Sequence, residues 1–156
     1  MTILGAVNGI VLLAACGSGS GSSAPTYIYW GDGASSIGRA NISGTDVSQR
    51  FITTSGTFPY TVSVTSTYIY WTNPLNGIIG RATLNGTDIN QQFITGASTP
   101  VGVTVSSQYI YWSNNKTGTI GRADLNGTDI NQRFITTAQP SGPDAVVFDS
   151  RHILLG

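Results

Sequence analysis

Apolar and polar positions alternate with a period of two through much of the chain, which is the pattern of strands covered on at least one face. Tyr60-Thr61-Val62-Ser63-Val64 reads as such a strand, and Val101-Gly102-Val103-Thr104-Val105 keeps the same apolar face. Tyr68-Ile69-Tyr70-Trp71 carries aromatic rings on one side and Ile and Trp on the other, so both of its faces are expected to be covered. Ile79-Gly80-Arg81-Ala82-Thr83-Leu84 follows, and its small Gly80 and Ala82 predict a close approach by a neighbouring sheet. Asn85-Gly86-Thr87-Asp88 is then a hairpin turn, because Asn-Gly tolerates the positive φ that tight turns need. Gln91-Gln92-Phe93-Ile94-Thr95 is an outer strand that leaves Gln and Thr to solvent.

This four-strand unit recurs. The Tyr-Ile-Tyr-Trp block begins at positions 27, 68 and 109, an interval of 41 residues each time. Ile37-Gly38-Arg39-Ala40, Ile79-Gly80-Arg81-Ala82 and Ile120-Gly121-Arg122-Ala123 keep step with it. So do Gly44-Thr45-Asp46, Gly86-Thr87-Asp88 and Gly127-Thr128-Asp129, and Phe51-Ile52-Thr53, Phe93-Ile94-Thr95 and Phe134-Ile135-Thr136. A period of ~40 to 45 residues with four strands per unit is that of a propeller blade. The fold class expected is therefore all-β: a partial β-propeller of about three four-stranded antiparallel blades.

Both ends of the repeat look incomplete. The first unit begins at its second strand, while Pro143-Asp144-Ala145-Val146-Val147-Phe148 aligns with the first strand of a further unit and His152-Ile153-Leu154-Leu155 stands in place of the aromatic block. The blades thus fall at 27–55, 59–96 and 100–137, with a partial one at 143–156. A closed ring takes at least ~4 blades, and closure is what removes bare sheet edges. Either the gene is truncated, or the array is open and a head-to-tail homodimer completes a six-bladed ring.

Ahead of the blades, residues 3–15 are apolar apart from Asn8 and end in Leu13-Ala14-Ala15-Cys16. The stretch is shorter than the ~20 residues a membrane-crossing helix takes, and reads as the apolar region of an export signal. Leu-Ala-Ala-Cys resembles the bacterial lipobox. That resemblance implies a signal segment over 1–16, a lipid on Cys16, a Gly/Ser-rich tether over 17–26 and a lipid-anchored, extracytoplasmic place at the bacterial cell envelope. No Lys or Arg precedes the apolar run, a departure from the usual signal.

Charge narrows the chemistry. Seven Lys plus Arg balance seven Asp plus Glu, only 9% of residues are charged, and no Glu occurs at all. Such a chain offers nucleic acid no long-range attraction. One His and one Lys make a poor kit for acid–base catalysis, so neither an enzyme nor a cofactor is expected. Twenty Gly and a surface of Ser, Thr, Asn and Gln suit short strands joined by turns.

The blocks also resemble the Tyr-Trp-Thr-Asp propellers, the class B repeats of the low-density lipoprotein receptor. Tyr70-Trp71-Thr72-Asn73 and Tyr111-Trp112-Ser113-Asn114 match that tetrapeptide with Asn for Asp, and Tyr29-Trp30-Gly31-Asp32 keeps the Asp but loses the hydroxyl. The Ile-x-Arg-Ala and Pro-x-x-Val-x-Val stretches match as well. The resemblance implies a scaffold that carries unrelated activities, so function rests on the site residues. Asp32, Asn73 and Asn114 follow the second strand in equivalent loops: they either ring one face as calcium ligands or satisfy their own turns. Arg39, Arg81 and Arg122 either line an anion-binding rim or pair with Asp46, Asp88 and Asp129 across their hairpins. The Tyr residues divide between core and an aromatic surface. His152 reads as an edge residue, and Asn85 and Asn126 as turn residues that happen to fit a glycosylation sequon. The leading expectation is a non-enzymatic binding or scaffolding module for a protein, peptide or glycan. The alternatives are an enzyme similar to gluconolactonase or streptogramin-lyase propellers, which would use a divalent metal, and an inactive fragment.

Overall fold

The computed structural model describes residues 10–12, 26–56, 58–137 and 142–149. Twelve strands lie among them, in three four-stranded sheets. Each sheet is an antiparallel meander in chain order. The first holds β1 (Ile10–Leu12), β2 (Tyr27–Gly31), β3 (Ser36–Asn41) and β4 (Ser48–Thr53). The second holds β5 (Val62–Val64), β6 (Tyr68–Asn73), β7 (Ile78–Thr83) and β8 (Asn90–Ile94). The third holds β9 (Pro100–Val105), β10 (Tyr109–Asn114), β11 (Thr119–Asp124) and β12 (Asn131–Thr136). One short 3₁₀ turn, Asn115–Thr117, interrupts the β10–β11 connection.

The register repeats from sheet to sheet. Trp30, Trp71 and Trp112 stand directly opposite Gly38, Gly80 and Gly121. Tyr29, Tyr70 and Tyr111 stand opposite Arg39, Arg81 and Arg122. Each third-to-fourth strand pair is bulged, so that Ile79 pairs with Ile94 while Arg81 pairs with Asn90. The bulge adds residues to the outer strand and brings Phe93 within 6.0 Å of the Tyr70 ring. In the turns, Gly44, Gly86 and Gly127 adopt φ of 79°, 82° and 86°, the positive φ expected of the Asn85-Gly86 turn. Asp46, Asp88 and Asp129 also take positive φ, near 50°.

Because side chains alternate, every sheet has two unlike faces. The leading face, turned toward the preceding sheet, carries Val62, Val64, Ile69, Trp71, Ala82 and Leu84 in the second sheet. Tyr29, Ile37, Ile52 and Phe51 on the trailing face of the first sheet pack against it. The same joint follows between the second and third sheets, where Tyr70, Ile79, Ile94 and Phe93 meet Val103, Ile110, Trp112, Ala123 and Leu125. The core is thus two repeated inter-sheet layers, and Trp71, Trp112, Ile69 and Ile110 are fully buried.

At the two ends the structure departs from the sequence reading. The first sheet has four strands, because Ile10, Val11 and Leu12 pair with Trp30, Tyr29 and Ile28. This apolar, partly β-branched run holds the register positions that Val62, Ser63 and Val64 hold in the second sheet. Residues 142–149 form no strand, yet they run where the first strand of a fourth blade would run. Ser113 Oγ donates to the Asp144 carbonyl at 3.5 Å, as Thr72 Oγ1 donates to the Val101 carbonyl at 2.9 Å. Phe148 stacks on Tyr111, with ring centres 6.3 Å apart.

Candidate functional site

Three sets of residues were singled out by the sequence. The arginines lie within the sheets. Arg39 sits between the rings of Tyr27 and Phe51, with its guanidinium carbon 4.1 and 3.9 Å from their centres. Arg81 lies between Tyr68 and Phe93 at 4.3 and 4.0 Å, and Arg122 between Tyr109 and Phe134 at 4.4 and 4.3 Å. The reading that pairs these arginines with Asp46, Asp88 and Asp129 is corrected: among the described residues no such ion pair forms. The Asp side chains belong to left-handed turn positions, while a planar, weakly hydrated guanidinium is better held between two rings. Arg81 Nη1 also donates to the Leu125 carbonyl of the next sheet at 3.4 Å. The Nε atoms of Arg39 and Arg81 are buried without a hydrogen-bond partner. Burial pushes the Tyr29 and Tyr70 hydroxyls up from their usual pKa, and the adjacent arginines offset only part of that.

The second set closes the turns after each second strand. Asp32 is exposed, and its carboxylate accepts from Ser36 Oγ at 2.5 Å, Ser36 N at 3.0 Å and Ala34 N at 2.8 Å. Burial acts to raise its pKa, but these hydrogen bonds outweigh it and hold the carboxyl below the usual range. Asn73 and Asn114 are buried. Asn73 Oδ1 accepts from Leu75 N and Asn76 N, both at 3.2 Å. Asn114 accepts from Ser98 N at 2.8 Å and donates to Thr119 Oγ1 and the Gln132 carbonyl. Among the described residues no group of three or more His, Cys, Asp or Glu side chains is placed to hold a metal ion.

The third set, Cys16 and His152, lies outside the described residues.

The sequence did not reveal an open groove of about 650 Å³ where the outer strand of the second sheet meets the end of the first. Ser55, Asn76, Ile78, Gln91, Gln92 and Thr95 line it. The polar lining is hydroxyl and amide, suited to a neutral, hydrogen-bonding ligand. At position 78, which lines the groove, the blades differ: Ser36 and Thr119, at the equivalent places, give Asp32 and Asn114 a hydroxyl partner, and Ile78 gives Asn73 none. Asn73 Nδ2 is accordingly buried without a partner, as is Trp71 Nε1. In the third sheet Gln132 accepts from Trp112 Nε1 at 3.0 Å and donates to the Thr95 carbonyl at 2.9 Å.

Four-stranded meanders stacked face to face, each with its aromatic second strand at the joint, define a β-propeller of the Tyr-Trp-Thr-Asp-like kind. No protein-family model matches the sequence, and no curated protein matches it either. Among solved structures, a chain of the nidogen/laminin complex matches with a TM-score of 0.60 and 25% identity, over 67% of this chain and 42% of that one. The computationally designed Ika4 protein matches with a TM-score of 0.59 and 11% identity, over 79% of this chain and 74% of that one. The designed Ika8 protein matches at 0.50 and 13%, over 82% of this chain and 39% of that one. The present chain therefore spans less than half of the nidogen/laminin chain it resembles.

Proposed function

We propose that this protein is a non-enzymatic binding or scaffolding module for a protein, peptide or glycan, held at the outside of a bacterial envelope by a lipid on Cys16. The observation that carries the binding half is the neutral groove beside Gln91 and Gln92, on a propeller in which the repeated Arg and Asn side chains are engaged mainly within their own blades and the Tyr and Trp side chains pack the joints between blades. Similarity to a chain solved in a protein complex supports a macromolecular ligand. The Leu-Ala-Ala-Cys motif supports the anchor; cleavage ahead of Cys16 would remove β1 and leave the place beside β2 open in the mature chain.

Peptide and glycan arrays probed with the full chain test the groove. Binding that is abolished by Gln92→Arg at unchanged melting temperature supports it, and binding indifferent to that substitution removes it. Calcium or magnesium is expected to leave the melting temperature unchanged. A rise of several degrees would restore the metal-dependent enzyme reading. Labelled palmitate should enter the wild-type chain in a bacterial host and not Cys16→Ser.

A further inference from the structure

Between the second and third sheets a single glutamine spans the joint. Gln132 Oε1 accepts from Trp112 Nε1 at 3.0 Å, and its Nε2 donates to the Thr95 carbonyl of the preceding sheet at 2.9 Å. The Gln132 main-chain carbonyl accepts from Asn114 Nδ2 at 2.8 Å, and Thr119 Oγ1 accepts from the same amide at 3.2 Å. The two donors are thus buried and satisfied, as buried polar groups generally are.

The joint between the first and second sheets has the same donors without those acceptors. Trp71 sets the same three indole atoms over Gly80 that Trp112 sets over Gly121, so its Nε1 is aimed at the place of residue 91, the equivalent of Gln132. Gln91 and Ile78, the latter in the place of Thr119, both line the groove. Gln91 is engaged elsewhere, and Trp71 Nε1 and Asn73 Nδ2 are left without a partner in side chains that are 0% exposed. An unmet buried donor is costly, and an acceptor carried by a ligand recovers that cost. The Gln132 carboxamide that closes one joint is therefore a template for what the other one takes.

The rim narrows the occupant further. Gln92 stands where the other sheets carry Arg50 and Arg133, and Leu75, 77% exposed, stands where the third carries Lys116. Among the described residues the lining holds no charged side chain and no aromatic ring, so a carboxylate finds no counter-ion and a sugar no stacking surface. The Gln92 N–H is already taken by Asn90 Oδ1 at 3.0 Å, which favours side-chain recognition over addition of a strand to β8. We propose that the groove receives a Gln or Asn side chain of an uncharged, extended peptide. Its carboxamide oxygen accepts from Trp71 Nε1 as the Gln91 side chain turns aside, its amide donates toward the first sheet as Gln132 donates to Thr95, and flanking aliphatic residues lie on Ile78 and Leu75. This inference rests on the groove being the binding site.

The probes are uncharged heptapeptides with one central Gln, each paired with a twin that carries the similar-sized Met, titrated into the ¹⁵N-labelled full chain. In the free chain the Trp71 indole N–H should resonate upfield of the hydrogen-bonded Trp112 one. A Gln peptide that binds should move Trp71 downfield and leave Trp112 in place, and its Met twin should bind about tenfold more weakly, the effect of one unmet buried donor. Twins that bind alike, or binding with Trp71 unmoved, overturn the proposal while the groove reading stands. A free-chain Trp71 resonance already coincident with that of Trp112, the mark of an enclosed water, overturns it as well. Binding of N-acetylglucosamine oligomers and of no peptide assigns the groove to glycans instead, and binding of neither kind removes the groove reading too.

Discussion

The indole of Trp71 fills the space over Gly80, its antiparallel partner, so closely that a Cβ at Gly80 would fall inside the van der Waals envelope of Cε2, Nε1 and Cζ2. Trp112 stands over Gly121 and Trp30 over Gly38 in the same way. Gly80→Ala should therefore cost about 1 to 3 kcal/mol through overpacking, measured by urea denaturation. Gly38→Ala should cost less, because Trp30 is partly exposed and has room to move.

Arg81 and Arg122 make the same two ring contacts in different surroundings. Phe93 is packed beneath the third sheet, whereas Phe134 is exposed. Arg81→Ala should lower stability by about 1 to 3 kcal/mol, the loss of two cation–π contacts and the aliphatic stem. Arg122→Ala should lower it by less than half as much. Arg81→Lys should recover only part of the loss, since an ammonium cannot lie flat between two rings.

Ile78→Thr would give Asn73 Nδ2 the hydroxyl that Thr119 gives Asn114. An unsatisfied buried donor costs about 1 to 3 kcal/mol. Loss of the Ile side chain from a 7% exposed site costs a comparable amount, at about 0.8 kcal/mol per buried methylene. The substitution should be neutral to stabilising by up to about 1 kcal/mol, against the general expectation for a buried Ile. Thermal unfolding reads the difference directly.

Two groups shape the pH dependence. The Asp32 carboxyl is depressed in the folded state, so its contribution is present above the unfolded value of ~4 and is lost as pH falls through the folded value. Asp32→Asn should flatten the acid limb of the stability curve. Tyr70 is raised, so its contribution is complete below ~10 and is lost as pH rises through the folded value. Tyr70→Phe should flatten the alkaline limb, with tyrosinate absorbance as the second readout.

Much of the architecture could be read from residue order alone. The Tyr-Ile-Tyr-Trp block fixes the second strand and both of its faces, and the Gly-Thr-Asp block fixes the outer turn. What could not be read lies in relations between strands. Gly80 is small for the sake of Trp71 on its own sheet, not to admit a neighbouring sheet as its position in the strand suggested. Arg81 reaches rings at positions 68 and 93, a pairing visible only once the register and the bulge are known. The run at residues 10–12 carries the composition of an export signal and of an inner strand alike, and composition cannot separate the two. The groove is formed where the end of the first sheet meets the outer strand of the second, a juxtaposition that exists only once the sheets are stacked.

Phe51 reaches the turn glycine Gly86 of the next sheet as Phe93 reaches Gly127, and the two contacts are interchangeable. A genetic duplication or excision of one unit within the array should therefore rebuild the aromatic–glycine contact at each new seam, while seam-specific bonds such as Gln132 to the Thr95 carbonyl would travel with the units that make them. Array length can drift by whole units without the compensating substitutions that most packed cores demand, and selection on copy number can act separately from selection on the groove.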